Sequence, residues 1–114
     1  MTQERFELSE YKGMWLFVMF DLPVDSKEAR KKYTQFRASI LHMGFEMLQF
    51  SVYARYYPSE EAADTYRKRI KKTLPPQGQV RLMAVTDRQF GKMDVFYGRK
   101  REPPEKPPEQ MMLF

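Results

Sequence analysis

Cysteine is absent from the 114 residues, which excludes disulfides and any thiolate metal site and leaves no need for an oxidising compartment. No apolar run approaches the roughly 20 residues that span a bilayer. The opening MTQERFELSEYKG is charged and lacks the apolar core of a signal peptide. Neither secretion nor membrane insertion is expected, and a cytoplasmic location is. Histidine occurs once, as His42, near the end of an expected helix, where a cation facing the helix dipole or a packed ring suits it better than the role of catalytic base. A mass of 13.8 kDa leaves room for one small domain with one modest core. Repeats are missing too, beyond two strand-helix-strand halves.

What the chain has in excess is positive charge and aromatic rings. Lys and Arg number 20 against 15 Asp and Glu, giving +5 and a pI near 9.5, and aromatics make up 15%. Basic and aromatic together point to a nucleic-acid partner. The nine methionines fall mostly at core-phase positions and are expected to fill space there.

Six consecutive apolar residues, Trp15 to Phe20, predict a strand from about Met14 that is buried on both faces and ends at Asp21, with Pro23 beyond it. Asp25 followed by Glu28 reads as a capping box. Ala29, Tyr33, Phe36, Ile40 and Met43 then share one face of a helix that Gly44 closes. FEMLQF and SVYARYY predict a hairpin with a tight connection near Phe50 and Ser51. Ser59 caps a second helix with Glu60 and Glu61 in its first turn and Ala62, Ala63, Tyr66 and Ile70 inward. LPPQG stops that helix, QVRLMAV supplies a fourth strand and KMDVFYG a short fifth.

The order strand, helix, strand, strand, helix, strand predicts an α+β fold: a ferredoxin-like βαββαβ domain with an extra short C-terminal strand and both helices on one face of an antiparallel sheet. Residues 1–13 read as a polar leader, 14–98 as the domain and 99–114 as a basic, proline-rich tail with an apolar tip. On the first strand Leu16, Val18 and Phe20 would face the helices, while Trp15, Phe17 and Met19 would face nothing within the chain. A second copy stacked through the bare sheet face would cover them, which predicts a homodimer. Folding of the leader or tail over that face is the alternative.

Asp21 has two readings on its residues alone. It terminates the strand by accepting backbone hydrogen bonds in the turn around Pro23, or it binds Mg²⁺, with a two-fold axis supplying a matching carboxylate from the other chain. Such a metal polarises a phosphodiester and acidifies a bound water, which is hydrolytic nuclease chemistry. On the first helix Lys27, Arg30, Lys31 and Arg37 lie away from the apolar face, and on the second Lys68, Lys71 and Lys72 do the same, with Arg67 and Arg69 on its flanks. Solvated outer faces are normally charged, but they mix both signs more than these do after the first turn. The basic faces, with Arg99, Lys100 and Arg101 added, are expected to follow the phosphates of a duplex lying across the dimer. Tyr53, Arg55, Tyr56 and Tyr57 raise an RNA-recognition module as the rival binding class, although its signature of a basic residue, glycine and alternating aromatics is missing.

FVMFDLP, SKEARKKYTQFRASILHMGF, LQFSVYARYY and VRLMAVTDRQFGKM, in that order from about Met14 to Tyr97, resemble the CRISPR-associated protein 2 family, the small partner of the spacer-acquisition integrase. The TDRQFGKM segment looks most like members from systems with a single large RNA-guided effector nuclease. The resemblance implies a ferredoxin-like homodimer in which the position matched by Asp21 is the Mg²⁺ ligand of a nuclease. It also implies a scaffold that bridges two integrase dimers and holds a DNA duplex, a role for which cleavage is dispensable. The family is similar in turn to virulence-associated toxin ribonucleases, so a stand-alone RNA-cleaving enzyme is the competing expectation. In line with the family's use of its C-terminal region, Met111, Met112, Leu113 and Phe114 are expected to dock on the integrase, with Glu102 to Gln110 as an extended spacer. Their folding back onto their own dimer is the alternative.

Overall fold

β1 (Met14–Asp21) carries no charged side chain before its last residue, and a strand of that kind is stable only where both of its faces and both of its edges are covered. The computed structural model, which describes residues 13–108, places β1 inside a four-stranded sheet of order β2-β3-β1-β4. β3 (Val52–Tyr57) and β4 (Gln79–Thr86) flank it, both antiparallel, and β2 (Glu46–Gln49) forms the edge beyond β3. The register runs from Met14 opposite Tyr57 to Met19 opposite Val52 on one side, and from Met14 opposite Thr86 to Asp21 opposite Gln79 on the other. With α1 (Lys27–His42) and α2 (Glu60–Lys71), the order is the expected βαββαβ.

Leu16, Val18 and Phe20 form the helix-side core with Phe36 and Ile40 of α1, Ala63 and Ile70 of α2, and Tyr53 and Tyr57 of β3. Phe20 meets Phe36 edge-on at 5.2 Å and stacks on Tyr53 at 5.6 Å between ring centroids. The N-cap of α1 is Ser26 rather than Asp25. Ser26 has extended backbone (φ −141°, ψ 164°), and its Oγ accepts from the Ala29 N–H at 3.0 Å, so Glu28 serves the helix dipole from the first turn without closing a capping box. At the other end Gly44, at φ +88°, donates to the Leu41 carbonyl while Phe45 donates to that of Ile40, the left-handed closure that glycine permits. Ser59 caps α2 as expected, its Oγ accepting from the Ala62 N–H at 3.1 Å.

The opposite sheet face corrects the sequence reading. Trp15, Phe17 and Met19 do not face empty space, because a short helix, α3 (Asp87–Gly91), packs beside them. Phe90 stacks on Trp15 at 3.9 Å with the rings 7° from parallel, and the Trp15 indole N–H donates to Asp87 Oδ1 at 2.7 Å. Trp15 and Phe17 are buried within the single chain, only 3% and 9% exposed. A reciprocal capping box starts α3: Thr86 Oγ1 accepts from the Gln89 N–H, and Gln89 Oε1 accepts from the Thr86 N–H. Five residues are too few to show a helical period, so only that Thr-x-x-Gln spacing could have revealed it.

The short fifth strand forms as β5 (Val95–Tyr97), but it pairs with β6 (Lys100–Glu102) in a separate two-stranded sheet turned at Gly98, which has φ +63°. Glu102 is thus held opposite Val95, and residues 103–108 form no helix or strand. No helix among the described residues is long and apolar enough to cross a membrane.

Phe90→Ala should therefore lower unfolding free energy by about 3 kcal/mol, the usual cost of deleting a buried ring. Urea denaturation followed by Trp15 fluorescence measures it. A change below about 0.5 kcal/mol would show that the Trp15 face is held by something else.

Candidate functional site

Where β1 runs out of core, Asp21 is exposed at its last position. Strand alternation puts its side chain on the same face as Trp15, Phe17 and Met19, opposite Gln79 and diagonal to Arg81 of β4. Two local features fix the backbone there. The Phe20 N–H donates to the Ser51 carbonyl at 3.1 Å, which pins the β2–β3 turn to the end of β1. Gly78, at φ +90°, passes so close that a Cβ would lie 2.8 Å from the Asp21 carbonyl oxygen and 2.7 Å from Leu22 Cδ2.

The Asp21 carboxylate makes no hydrogen bond or ion pair among the described residues, so it does not lock the turn around Pro23. It is free to serve as a ligand. Among those residues no group of three or more His, Cys, Asp or Glu side chains is arranged to hold a metal ion. One carboxylate per chain suits Mg²⁺, which often takes one or two and leaves its remaining positions to water and phosphate oxygens. A divalent metal that needs a full protein cage does not fit here.

A groove of about 650 Å³ opens beside Asp21 between β1, α1 and the β2–β3 turn, with Tyr33, Arg37, Met47 and Phe50 on its walls. Arg37 is anchored in it, its Nε donating to the Tyr53 hydroxyl at 2.8 Å. A smaller recess of about 220 Å³, which Phe50 also lines, has Asp21, Met19, Gln79 and Arg81 on its walls. Neither Arg37 nor Arg81 meets a carboxylate within ion-pair distance among the described residues. Arg81 was missed from sequence, although its place two residues from the partner of Asp21 becomes readable once the β1–β4 register is known.

The remaining cations are spread over three surfaces. Lys27, Arg30 and Lys31 are exposed on the first turns of α1, with Arg30 also donating to the Val24 carbonyl at 3.2 Å. On α2, Lys68 pairs with Asp64 at 3.5 Å, Arg67 is half-buried beside Glu60, Glu61 and Asp64, and Lys71 and Lys72 are exposed at the C-terminal end. On the β5–β6 hairpin, Arg101 pairs with Asp94 at 2.6 Å and Lys100 with Glu102 at 3.2 Å, while Arg99 lies exposed in the turn. Arg37 lines the same groove as Asp21, from the helix side of the sheet, and the other predicted cations lie on outer surfaces. Met111, Met112, Leu113 and Phe114 lie outside the described residues.

Arg55 and Arg69, by contrast, are tied up with aromatics. Arg55 lies 4.8 Å from the Tyr57 ring centroid and 4.7 Å from that of Tyr66, donates from Nη1 to the Met43 carbonyl, and shares Tyr66 with Arg69. The Arg55 guanidinium pulls the Tyr66 phenol below its usual range. Burial pushes the Tyr57 phenol up, against the opposing pull of Arg55, and its hydroxyl has no hydrogen-bond partner among the described residues. Tyr53, Tyr56 and Tyr57 are all buried, so they offer bases no stacking platform, and the RNA-recognition-module reading loses its surface.

Residues 14–93 match the family model described as CRISPR associated protein Cas2. A protein named CRISPR-associated endoribonuclease Cas2 from Flavobacterium psychrophilum is 43% identical over 107 residues, covering 94% of this chain and 93% of its own. One of the same name from Parvibaculum lavamentivorans is 46% identical over 101 residues, covering 89% of this chain and all of its own. A third, from Streptococcus mutans, is 38% identical over 87 residues, covering 76% and 80%.

Because the Asp21 side chain contacts nothing that holds the fold, Asp21→Ala should leave the urea midpoint and the circular dichroism spectrum unchanged. Gly78→Ala should instead lower stability by more than ~1 kcal/mol, since its left-handed backbone and the adjoining β1 backbone leave no room for a methyl group. A midpoint that moves for Asp21→Ala would mean that the carboxylate is a structural cap.

Proposed function

The chain belongs to the CRISPR associated protein Cas2 family, and from that premise we propose that it works as a homodimeric small subunit of the CRISPR spacer-acquisition complex, binding duplex DNA, bridging integrase dimers and carrying a Mg²⁺-dependent phosphodiesterase site at Asp21. The observation that carries this reading is the Asp21 carboxylate, without a partner among the described residues, at the exposed end of a buried strand, on the sheet face where a two-fold copy would present a second one. Half-exposed Met83, opposite Phe17 on the same face, supplies apolar surface for that copy beyond what α3 covers.

Mg²⁺, when bound, would polarise the phosphodiester and acidify a water molecule. The chain's own part is narrower. Asp21 would hold the metal, and Arg37 and Arg81, each lining a recess with Asp21, would offset phosphate charge. Lys27 and Lys31 on α1, and Lys71 and Lys72 on α2, give a duplex a sequence-independent track. Lys68 and the cations of β6 contribute less, each being already paired. Attachment of the integrase through Met111 to Phe114 belongs to the same reading and rests on their apolar composition and the family resemblance.

A second reading, stand-alone RNA cleavage, is favoured by the name of the relatives, endoribonuclease. It uses the same Asp21 and needs neither integrase nor duplex.

Asp21→Ala should abolish metal-dependent cleavage while duplex affinity, dimer mass and integration with the integrase persist. Unchanged cleavage in the purified variant would rule out the catalytic role of Asp21, and integration that collapses with the fold intact would rule out the scaffold. Replacing Lys68, Lys71 and Lys72 by Ala should weaken duplex binding alike for all sequences and flatten its salt dependence. Affinity and slope equal to wild type would return α2 to an ordinary solvated face.

A further inference from the structure

We propose that Phe50 is a stacking platform for the base of one unpaired nucleotide, holding a single-stranded stretch of nucleic acid across Asp21. The inference rests on the site reading above and adds to it the form of strand the site accepts. Phe50 is 84% exposed, while the other aromatic residues of β1, β2 and β3 and of the turn joining β2 to β3 are buried. Its position is built. The β2–β3 connection is two residues long, and the second, Ser51, is the one described non-glycine residue with positive φ, at +63°. A serine in that conformation is unfavourable, and it is kept there by the Phe20 N–H donating to its carbonyl, the bond that ties the turn to the end of β1. The ring is thereby carried on a stiff turn beside Asp21.

The surroundings match a strand better than a protein partner. Phe50 and Asp21 each line both recesses. Each recess also holds one arginine without a carboxylate within ion-pair distance among the described residues, Arg37 on the α1 side and Arg81 on the β4 side. A ring that lines two recesses, each with one arginine not paired to a carboxylate among the described residues and both with Asp21 in their lining, suits a base flanked by its two phosphates. Met47 and Val24, both more than half exposed, extend the apolar wall on the Arg37 side. Bases inside a duplex already stack on their neighbours and cannot lie on such a ring, whereas any unpaired base can, since all four have a π-face. The site therefore selects for an unpaired nucleotide and tolerates its identity.

The test uses the full chain with a fluorescent 12-nucleotide single strand and a blunt duplex of the same length. Phe50→Ala and Phe50→Leu should each weaken single-strand binding about tenfold at unchanged duplex affinity, and Phe50→Trp should restore it, its indole fluorescence quenched on binding. Single-strand binding that is undetectable in the wild type, or equal in Phe50→Ala, or equally weakened for strand and duplex, would overturn the proposal. So would a loss of dimer mass in Phe50→Ala, which would assign the ring to a contact with a second copy. The readout is binding rather than cleavage, so failure of the catalytic role of Asp21 shows in the Asp21→Ala assay and stays distinguishable from failure here.

Discussion

The structure depends on β1 being apolar on both faces. A strand with Trp15, Phe17 and Met19 on one side and Leu16, Val18 and Phe20 on the other cannot stand at an edge or lie on the surface, so it takes the centre of the sheet with two antiparallel neighbours. The helix side is closed by two helices whose inward faces carry Phe36, Ile40, Ala63 and Ile70. The other side is covered in part by one short helix, whose Phe90 stacks on Trp15 and meets Phe17 at 5.7 Å and whose Asp87 accepts the indole hydrogen bond. That asymmetry makes α3 more important than its five residues suggest.

The same constraint creates the site. Burial along β1 has to stop somewhere, and it stops at Asp21, whose carboxylate has no partner among the described residues, while the Phe20 N–H just before it is held by the Ser51 carbonyl and Gly78 passes close to the Asp21 carbonyl. A rigid backbone under an uncommitted charge is what a metal or phosphate site requires, because the ligand then meets a group that need not first break another contact. The neighbouring arginines divide by the same logic. Arg55 and Arg69 are spent on tyrosine rings and a helix-end carbonyl, while Arg37 keeps part of its guanidinium for the groove.

Charge alone was therefore a coarse guide. Lys68, Lys100 and Arg101 read from sequence as equals of Lys71 and Lys72, yet each of the three has a carboxylate within reach. Arg37 read as one more outer cation of α1, yet it turns toward the sheet and the Tyr53 hydroxyl. Helical spacing places a side chain within a sector of the helix surface. It does not say what lies opposite that sector.

The sequence by itself determined the order of strands and helices, the central place of the Trp15–Phe20 strand, the caps at Ser59 and Gly44, and Asp21 as the residue where burial ends. These follow from local patterns, because period, capping chemistry and the length of an apolar run are properties of neighbours in the chain. Tertiary structure decided the rest: that Phe90 stacks on Trp15 across 75 positions, that β5 turns back on β6 instead of joining the sheet, and that Arg81 and Phe50 stand beside Asp21. The first and last are contacts between residues far apart in sequence, fixed by strand register, and the β5–β6 hairpin, though local, pairs with itself because the sheet edge it would have joined lies elsewhere in the fold; no window of neighbouring residues contains that information.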